Sequence, residues 1–132
     1  MLRKIKIQNF ALIEDLEISF ENGMSSITGE TGAGKSILLG GLSLVLGKRA
    51  DLSSLLDITK KCIVEASFDI DSYNLETSFE RLDLDYDKHT ILRREILPQS
   101  KSRAFVNDTP VNLDVLQKIS QKLLDIHSQN DT

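Results

Sequence analysis

The sequence has 132 residues, of which 40% are hydrophobic and 27% are charged, and its net charge is −4 at pH 7. This length predicts one domain, and the acidic balance argues against a free-standing nucleic-acid module, whose surface is usually basic. The single cysteine excludes an intramolecular disulfide, and no apolar stretch is long enough to span a bilayer. Because no secretory signal is present either, we expect a cytoplasmic protein. Trp is absent and aromatic residues are few, so the core is expected to consist mainly of Leu, Ile and Val.

The N-terminal third predicts strands. Residues 3–8 and 16–21 each alternate apolar with polar side chains, which is typical of half-exposed strands. A loop is expected between them, over residues 9–15. Asn22-Gly23 then favours a tight hairpin turn. Residues 24–28 should therefore form a third strand that pairs antiparallel to the second.

Residues 36–46 are nearly all apolar or small, a run too long for one strand, and they predict a buried helix. Gly40 and Gly41 lie inside it and each costs about 1 kcal/mol relative to Ala. This cost suggests that another backbone packs closely there. Gly47 suits the C-terminal end of this helix, and Lys48-Arg49 would complement its dipole.

The second half predicts more strands and two helices. Strands are expected over residues 62–70, 90–97 and 102–107, with turns at Pro98 and at Asn107-Asp108. A short helix is expected over residues 72–82. Asn112 is a good N-cap for a second helix, in which Leu116, Ile119 and Leu123 share one face. The final apolar segment, residues 124–127, is interpreted as a strand.

One motif points to a specific chemistry. Residues 29–36 satisfy G-x-x-x-x-G-K-[ST] at every position, between an expected strand and an expected helix. The glycines let successive backbone N–H groups turn inward to form an anion site, which the positive end of the helix reinforces. We expect Lys35 to contact the β- and γ-phosphates of a nucleotide and Ser36 to ligate Mg²⁺. The nucleotide-binding residues predicted in this way are Gly29, Glu30, Thr31, Gly32, Ala33, Gly34, Lys35, Ser36 and Ile37.

Several segments together resemble RecN, the family of bacterial DNA double-strand-break repair ATPases related to the SMC proteins. They are KIKIQNFALIED at residues 4–15, ITGETGAGKSILLGGLSLVLGKRAD at 27–51, ILRREI at 91–96, SRAFVN at 102–107 and LDIHSQ at 124–129. The resemblance implies an α/β P-loop NTPase fold. It would be the N-terminal half of an ABC-type ATPase head, with an antiparallel β layer flanking the P-loop helix. The expected domain is then residues 1–132, one segment of a split head that ends just after the Q-loop.

The resemblance also implies site residues and partners. Gln129 matches the glutamine that senses Mg²⁺ and the attacking water, so Lys35 and Gln129 are the expected catalytic residues, with Ser36 and Gln129 at the metal. The implied cofactors are ATP and Mg²⁺. The implied partners are the C-terminal half of the same head, a second RecN-like head and DNA, with no membrane.

Two motifs that such a head needs for hydrolysis are missing from the sequence. No apolar strand ends in Asp-Glu, and there is no Ser-Gly-Gly signature motif. We therefore expect the chain to bind ATP–Mg²⁺ weakly at best and not to turn it over. Two alternatives stay open, which are a self-contained P-loop small-molecule kinase and a regulatory nucleotide-binding module without catalysis.

The remaining polar residues allow less specific expectations. His89, His127 and Cys62 are too far apart in sequence to suggest a metal site, and the acidic run Asp83, Asp85 and Asp87 is typical of a solvated loop. The basic residues Arg93, Arg94, Lys101 and Arg103 fall on one expected hairpin. They are interpreted first as a solvated face or internal ion pairs, and second as a contact to DNA phosphates. The resemblance also hints that residues 9–13 pack beside the nucleotide base.

Overall fold

A computed structural model describes residues 2–20, 32–49, 55–99 and 101–129, with the backbone alone at 32–36 and 124–129. In chain order the elements are β1 (Leu2–Phe10), β2 (Ile13–Ser19), α1 (Gly32–Val45), β3 (Cys62–Asp69), α2 (Glu76–Arg81), β4 (His89–Ile96), β5 (Ser102–Val106), β6 (Thr109–Val111) and α3 (Leu113–Gln129). The six strands form one sheet in the order β2-β1-β3-β4-β5-β6. Every neighbouring pair is antiparallel. The predicted α/β class with an antiparallel layer beside the P-loop helix is therefore confirmed.

Strand alternation gives the sheet one apolar and one charged face. Ile7, Val64 and Leu92 are fully buried on the face that α1 covers. As expected, the core they belong to consists mainly of Leu, Ile and Val. The opposite face carries charged residues at the intervening positions, among them Lys6 and Glu65. Because side chains alternate along a strand, this register fixes which residues can meet α1.

Two tight connections explain why the strands differ in length from those predicted. The expected loop over residues 9–15 is only the turn Ala11-Leu12, because Asn9 and Ala11 adopt positive φ angles of 56° and 51° and reverse the chain at once. Asn107 and Asp108 have φ angles of 48° and 66°, as a two-residue hairpin turn requires. This second turn was predicted, but the short edge strand β6 that follows it was not. β6 was missed because Pro110 is unfavourable inside a strand. Proline is tolerated here because β6 lies at the edge of the sheet.

The helices also depart from the sequence prediction. α1 begins at Gly32, one turn before the predicted start at Ser36, and α2 is shorter than residues 72–82. The predicted strand over residues 124–127 is wrong, because α3 continues as helix to Gln129. No glycine or proline interrupts the sequence from Leu113 to Gln129, so nothing in it ends the helix earlier. The predicted turn at Asn22-Gly23 and the strand at 24–28 lie outside the described residues.

α1 approaches β1 closely at its glycine pair. A Cβ on Gly41 would lie 2.7 Å from Cδ1 of Ile7, and a Cβ on Gly40 would lie 3.3 Å from the ring of Phe10. The close neighbours are therefore side chains of β1. The expectation that a second backbone packs there is wrong. The glycines allow the helix to lie directly on these two large residues, which offsets their low helix propensity.

We expect Gly41→Ala to lower the free energy of unfolding by about 1 kcal/mol. Overpacking against Ile7 costs about 1–3 kcal/mol, and the better helix propensity of Ala returns up to about 1 kcal/mol. Ile7→Val removes the Cδ1 atom. Gly41→Ala should therefore cost at least about 1 kcal/mol less in the Ile7→Val protein than in the unmodified protein. Urea unfolding of the four proteins of the cycle measures this coupling. Gly40→Ala is the milder control, and a stabilising Gly41→Ala would contradict the packing described.

Candidate nucleotide-binding site

The sequence motif and α1 share one end of the helix. α1 begins at Gly32, inside the motif, so the first helical residues are Gly32, Ala33 and Gly34. Small residues there leave the first backbone N–H groups open to a ligand. The first turn contains no acidic residue that could compete with a bound anion. This end of α1 is therefore suited to a phosphate group.

The structure describes only part of the predicted nucleotide-binding site. Gly29, Glu30 and Thr31 lie outside the described residues. Gly32 to Ser36 form the first turns of α1, of which only the backbone is described, and this range includes Lys35. Ile37 is half-buried and packs against the core. Gln129 is the last residue of α3, again with its backbone alone described.

The opposite end of α1 is closed by backbone hydrogen bonds around Gly47. The N–H of Lys48 donates to the carbonyl of Ser43 at 3.2 Å, and the N–H of Gly47 donates to the carbonyl of Leu44 at 3.1 Å. These two bonds form a Schellman motif. Gly47 has a φ of 96°, and a Cβ there would collide with Gln117 of α3. The predicted helix end at Gly47 is confirmed.

Side chains from distant segments also contact the carbonyl groups at this end of α1. Nη1 of Arg94 donates to the carbonyls of Leu44 at 3.0 Å and Lys48 at 2.9 Å. Nε2 of Gln117 donates to the carbonyl of Gly47 at 2.8 Å. The Oγ of Ser120 lies 3.4 Å from the carbonyl of Val45. The helix that carries the phosphate motif is thereby fixed to both β4 and α3.

Arg94 is a buried cation without a carboxylate partner in the described part of the chain. It is 1% exposed, and its Nη2 donates to the Oγ of Ser102 at 3.2 Å, while its Nε has no hydrogen-bond partner. Burial lowers the pKa of the guanidinium, as expected for a charge held away from water. The negative end of the α1 dipole and the carbonyls of Leu44 and Lys48 replace a counter-ion. Arg94 therefore binds the helix end in its charged form.

The expected basic cluster is divided between the two faces of the sheet. Arg94 faces α1, whereas Arg93 lies on the charged face, 4.2 Å over the ring of Phe105 and within 3.7 Å of acidic groups on Glu65, Glu95 and Asp108. Neighbouring strand residues point to opposite faces, so the four cations cannot form one patch. For Arg93 the interpretation as internal ion pairs is correct. The sequence pair Arg93-Arg94 already implied that one of the two arginines would be buried.

Asn9 links the end of β1 to the loop that precedes β3. Its Nδ2 donates to the carbonyls of Asp57 at 2.9 Å, Lys60 at 2.9 Å and Lys61 at 3.3 Å, and its Oδ1 accepts from the N–H of Asp57 at 2.6 Å. The side chain thus holds the loop, and the hinted contact of residues 9–13 with a base stays a prediction. A cleft of about 320 Å³ lies beside it, lined by Gln8, Asn9, Glu14, Leu56, Asp57, Lys60 and Lys61.

The other polar residues agree with their simpler interpretations. Cys62 is fully buried, and this burial raises the pKa of its thiol to about 11. His89 is exposed and lies 2.9 Å from Asp69. Asp83, Asp85 and Asp87 are exposed, as predicted for a solvated loop. Among the described residues no group of His, Cys, Asp or Glu could hold a metal ion, and no described helix is long and apolar enough to cross a membrane.

The fold is that of an SMC-type ATPase head. A structure of an SMC ATPase, from work on ATP-driven dimerization and DNA-stimulated activation, superposes with a TM-score of 0.68 at 18% identity, over 89% of this chain and 76% of that one. The SMC head domain from Thermotoga maritima superposes with a TM-score of 0.59, also at 18% identity, over 86% of this chain and 39% of that one. At such identities the likeness concerns the fold alone.

The chain belongs to the AAA domain family, whose model matches residues 4–132. The resemblance to RecN is also confirmed. The DNA repair protein RecN of Vibrio cholerae is 40% identical over 98% of this chain, and RecN of Bacillus subtilis is 39% identical over 99%. The chain spans about a quarter of the length of these relatives, 24% and 23% respectively.

Arg94→Met is expected to lower the free energy of unfolding by about 3 kcal/mol, because it removes the charge-assisted hydrogen bonds to the carbonyls of Leu44 and Lys48 and the bond to Ser102. Arg93→Met is the matched control, one residue away on the other face. It loses one ring contact and ion pairs to Glu65, Asp108 and the buried Glu95. Lys61 and Arg103 still lie 3.7 and 3.9 Å from the Glu95 carboxylate, so the expected loss is only about 1 kcal/mol. Urea unfolding followed by circular dichroism measures both. Equal losses for the two variants would show that the contacts to α1 do not carry the effect.

Asn9→Gly is expected to lower the free energy of unfolding by about 2 kcal/mol. Gly can adopt the positive φ but cannot make the four hydrogen bonds to the loop. Asn9→Ala should cost about 1 kcal/mol more, since Ala is strained at that φ. Asn74, with a φ of 56° and an exposed side chain, is the control, and Asn74→Gly should leave the free energy of unfolding nearly unchanged. Thermal or urea unfolding distinguishes the cases. A harmless Asn9→Gly would mean that the loop does not depend on this side chain.

Proposed function

We propose that this chain is the ATP-binding half of a RecN-like head that acts in DNA repair and recombination. The observation that carries the proposal is the complete phosphate-binding motif in the sequence, whose residues Gly32 to Ser36 begin α1 on an SMC-type head fold. The similarity to RecN proteins along almost the whole chain supports it. Residues 1–132 would then be the N-terminal segment of a split head that ends just after the Q-loop.

In this proposal the backbone N–H groups of the motif bind the phosphates of ATP. Lys35 contacts the β- and γ-phosphates, while Ser36 and Gln129 hold Mg²⁺, with Gln129 also orienting the attacking water. The donor set at the helix start fits an anion, because it combines small residues, free N–H groups and a positive dipole. When bound, Mg²⁺ would neutralise charge on the phosphate oxygens.

Hydrolysis would require parts that this sequence does not supply. An apolar strand ending in Asp-Glu and a Ser-Gly-Gly signature would come from the C-terminal half of the same head and from a second head. The SMC structure described as an example of ATP-driven dimerization supports the idea of paired heads. DNA would be the third partner, and the cytoplasm would be the site of action.

A self-contained kinase is the less favoured alternative. Such an enzyme builds its P-loop on a parallel sheet, whereas all six described strands here are antiparallel to their neighbours. A nucleotide-binding module without catalysis would bind ATP in the same way but would not respond to a C-terminal half. Mixing experiments distinguish that module from a half-head.

We expect the chain to bind a fluorescent ATP analogue with Mg²⁺ and to release no phosphate. Lys35→Ala should weaken binding at least tenfold, since it removes the charge that contacts the terminal phosphates. Lys88→Ala, at an exposed loop position, is the matched control and should bind normally. Lys35-dependent phosphate release by the isolated chain would contradict the half-head proposal.

The second measurement adds the separately expressed C-terminal half of a RecN protein. ATP hydrolysis that appears only on mixing, and that Lys35→Ala abolishes, is the expected result. ATP binding without stimulation would favour the non-catalytic module. Phosphoryl transfer to a small-molecule acceptor without the added half would favour the kinase.

A further inference from the structure

A cleft between α2 and α3 lies apart from the proposed nucleotide site. Its volume is about 340 Å³, and its lining residues are Ser78, Arg81, Leu82, Lys118, Gln121 and Lys122. Gln117 of α3 binds the end of α1, whereas Lys118, Gln121 and Lys122 line the cleft beside α2. The contact to α1 and the lining of the cleft therefore use different faces of α3.

The cleft is basic although the chain as a whole is acidic. Arg81, Lys118 and Lys122 are exposed cations at its walls, and none of the described lining residues is acidic, whereas the net charge of the chain is −4. Lys118 pairs with Asp114 at 3.1 Å, on the neighbouring turn of α3. No described carboxylate lies within salt-bridge distance of Arg81 or Lys122. The charge that would complement this cleft is negative.

The shape and lining of the cleft restrict the kind of ligand. Half-buried Leu82 and the aliphatic parts of the long cations give the cleft apolar walls. Its volume suits one or two apolar side chains. A nucleic-acid surface would instead present a longer track of cations, because affinity for DNA depends on many phosphate contacts.

We propose that this cleft is a docking site for an acidic peptide segment of a partner protein. One leucine or phenylalanine of the segment occupies the space between α2 and α3. Flanking aspartates or glutamates pair with Arg81, Lys118 and Lys122 at the rim. Burial of the apolar anchor contributes most of the affinity, and the rim charges select an acidic sequence.

Fluorescence anisotropy with a labelled peptide tests the docking site. The probe carries a Leu-Phe pair flanked by aspartates and glutamates, and the control peptide has Ser-Ser in place of Leu-Phe. We expect the loss of the apolar pair to weaken binding at least tenfold and Lys122→Glu to weaken it roughly three- to tenfold. Lys88→Glu changes the net charge equally at an exposed position that does not line the cleft and should have no effect. Binding of the probe should also weaken as salt is added.

Several outcomes would overturn the proposal. Equal binding of the Ser-Ser peptide, or equal effects of Lys88→Glu and Lys122→Glu, would show a general charge effect. Tighter binding of a labelled single-stranded oligonucleotide that also depends on Lys122 would assign the cleft to nucleic acid. Absence of peptide binding together with a dimer that Lys122→Glu dissociates would assign it to a second copy of this chain. All measurements use nucleotide-free protein, so their outcome is independent of the ATP-binding proposal.

Discussion

The guanidinium group of Arg94 against the end of α1 is the interaction on which the rest of the structure depends. It lies in a row of inward-facing residues across the sheet, between Val64 of β3 and Ala104 of β5. A charge at the centre of an apolar layer is costly unless polar groups surround it. The carbonyls of Leu44 and Lys48 supply those groups, and the helix dipole supplies the opposite charge. α1 can therefore pack on the sheet in only one axial position, which in turn fixes where its first turn lies.

Two different kinds of contact hold α1. At Gly40 and Gly41 the contact is steric, because the absent side chains admit Phe10 and Ile7 of β1. At its C-terminal end the contact is polar and involves both β4 and α3. Gly32 to Ser36 of the phosphate motif form the opposite end of the helix. The contacts described therefore hold the middle and the C-terminal end of α1.

Local patterns predicted most of the fold but not the contacts that position the site. Alternation predicted β1 and β2, and apolar segments bounded by turn residues predicted β3, β4 and β5. Asn112 was correctly predicted as an N-cap, since its Oδ1 accepts from the N–H of Val115 at 2.9 Å. The motif predicts which end of α1 binds a ligand, and this stays a prediction. The role of Arg94 was missed because its partners are about fifty positions away in sequence. The role of Asn9 in holding the 57–61 loop was missed for a related reason, since neither its positive φ nor its distant carbonyl partners leave a sequence pattern.

The contacts of α1 with α3 and β4 bear on the order in which the chain is synthesised and folds. Gln117 reaches the carbonyl of Gly47 across 70 positions of sequence, and Arg94 reaches Leu44 across 50. Contacts of this separation form late, because the chain between them must first be closed into a loop. During synthesis α1 leaves the ribosome well before β4 and α3, with an apolar surface that has no sheet or helix to cover it. α1 is therefore translated before β4 and α3 but fixed only after both have formed.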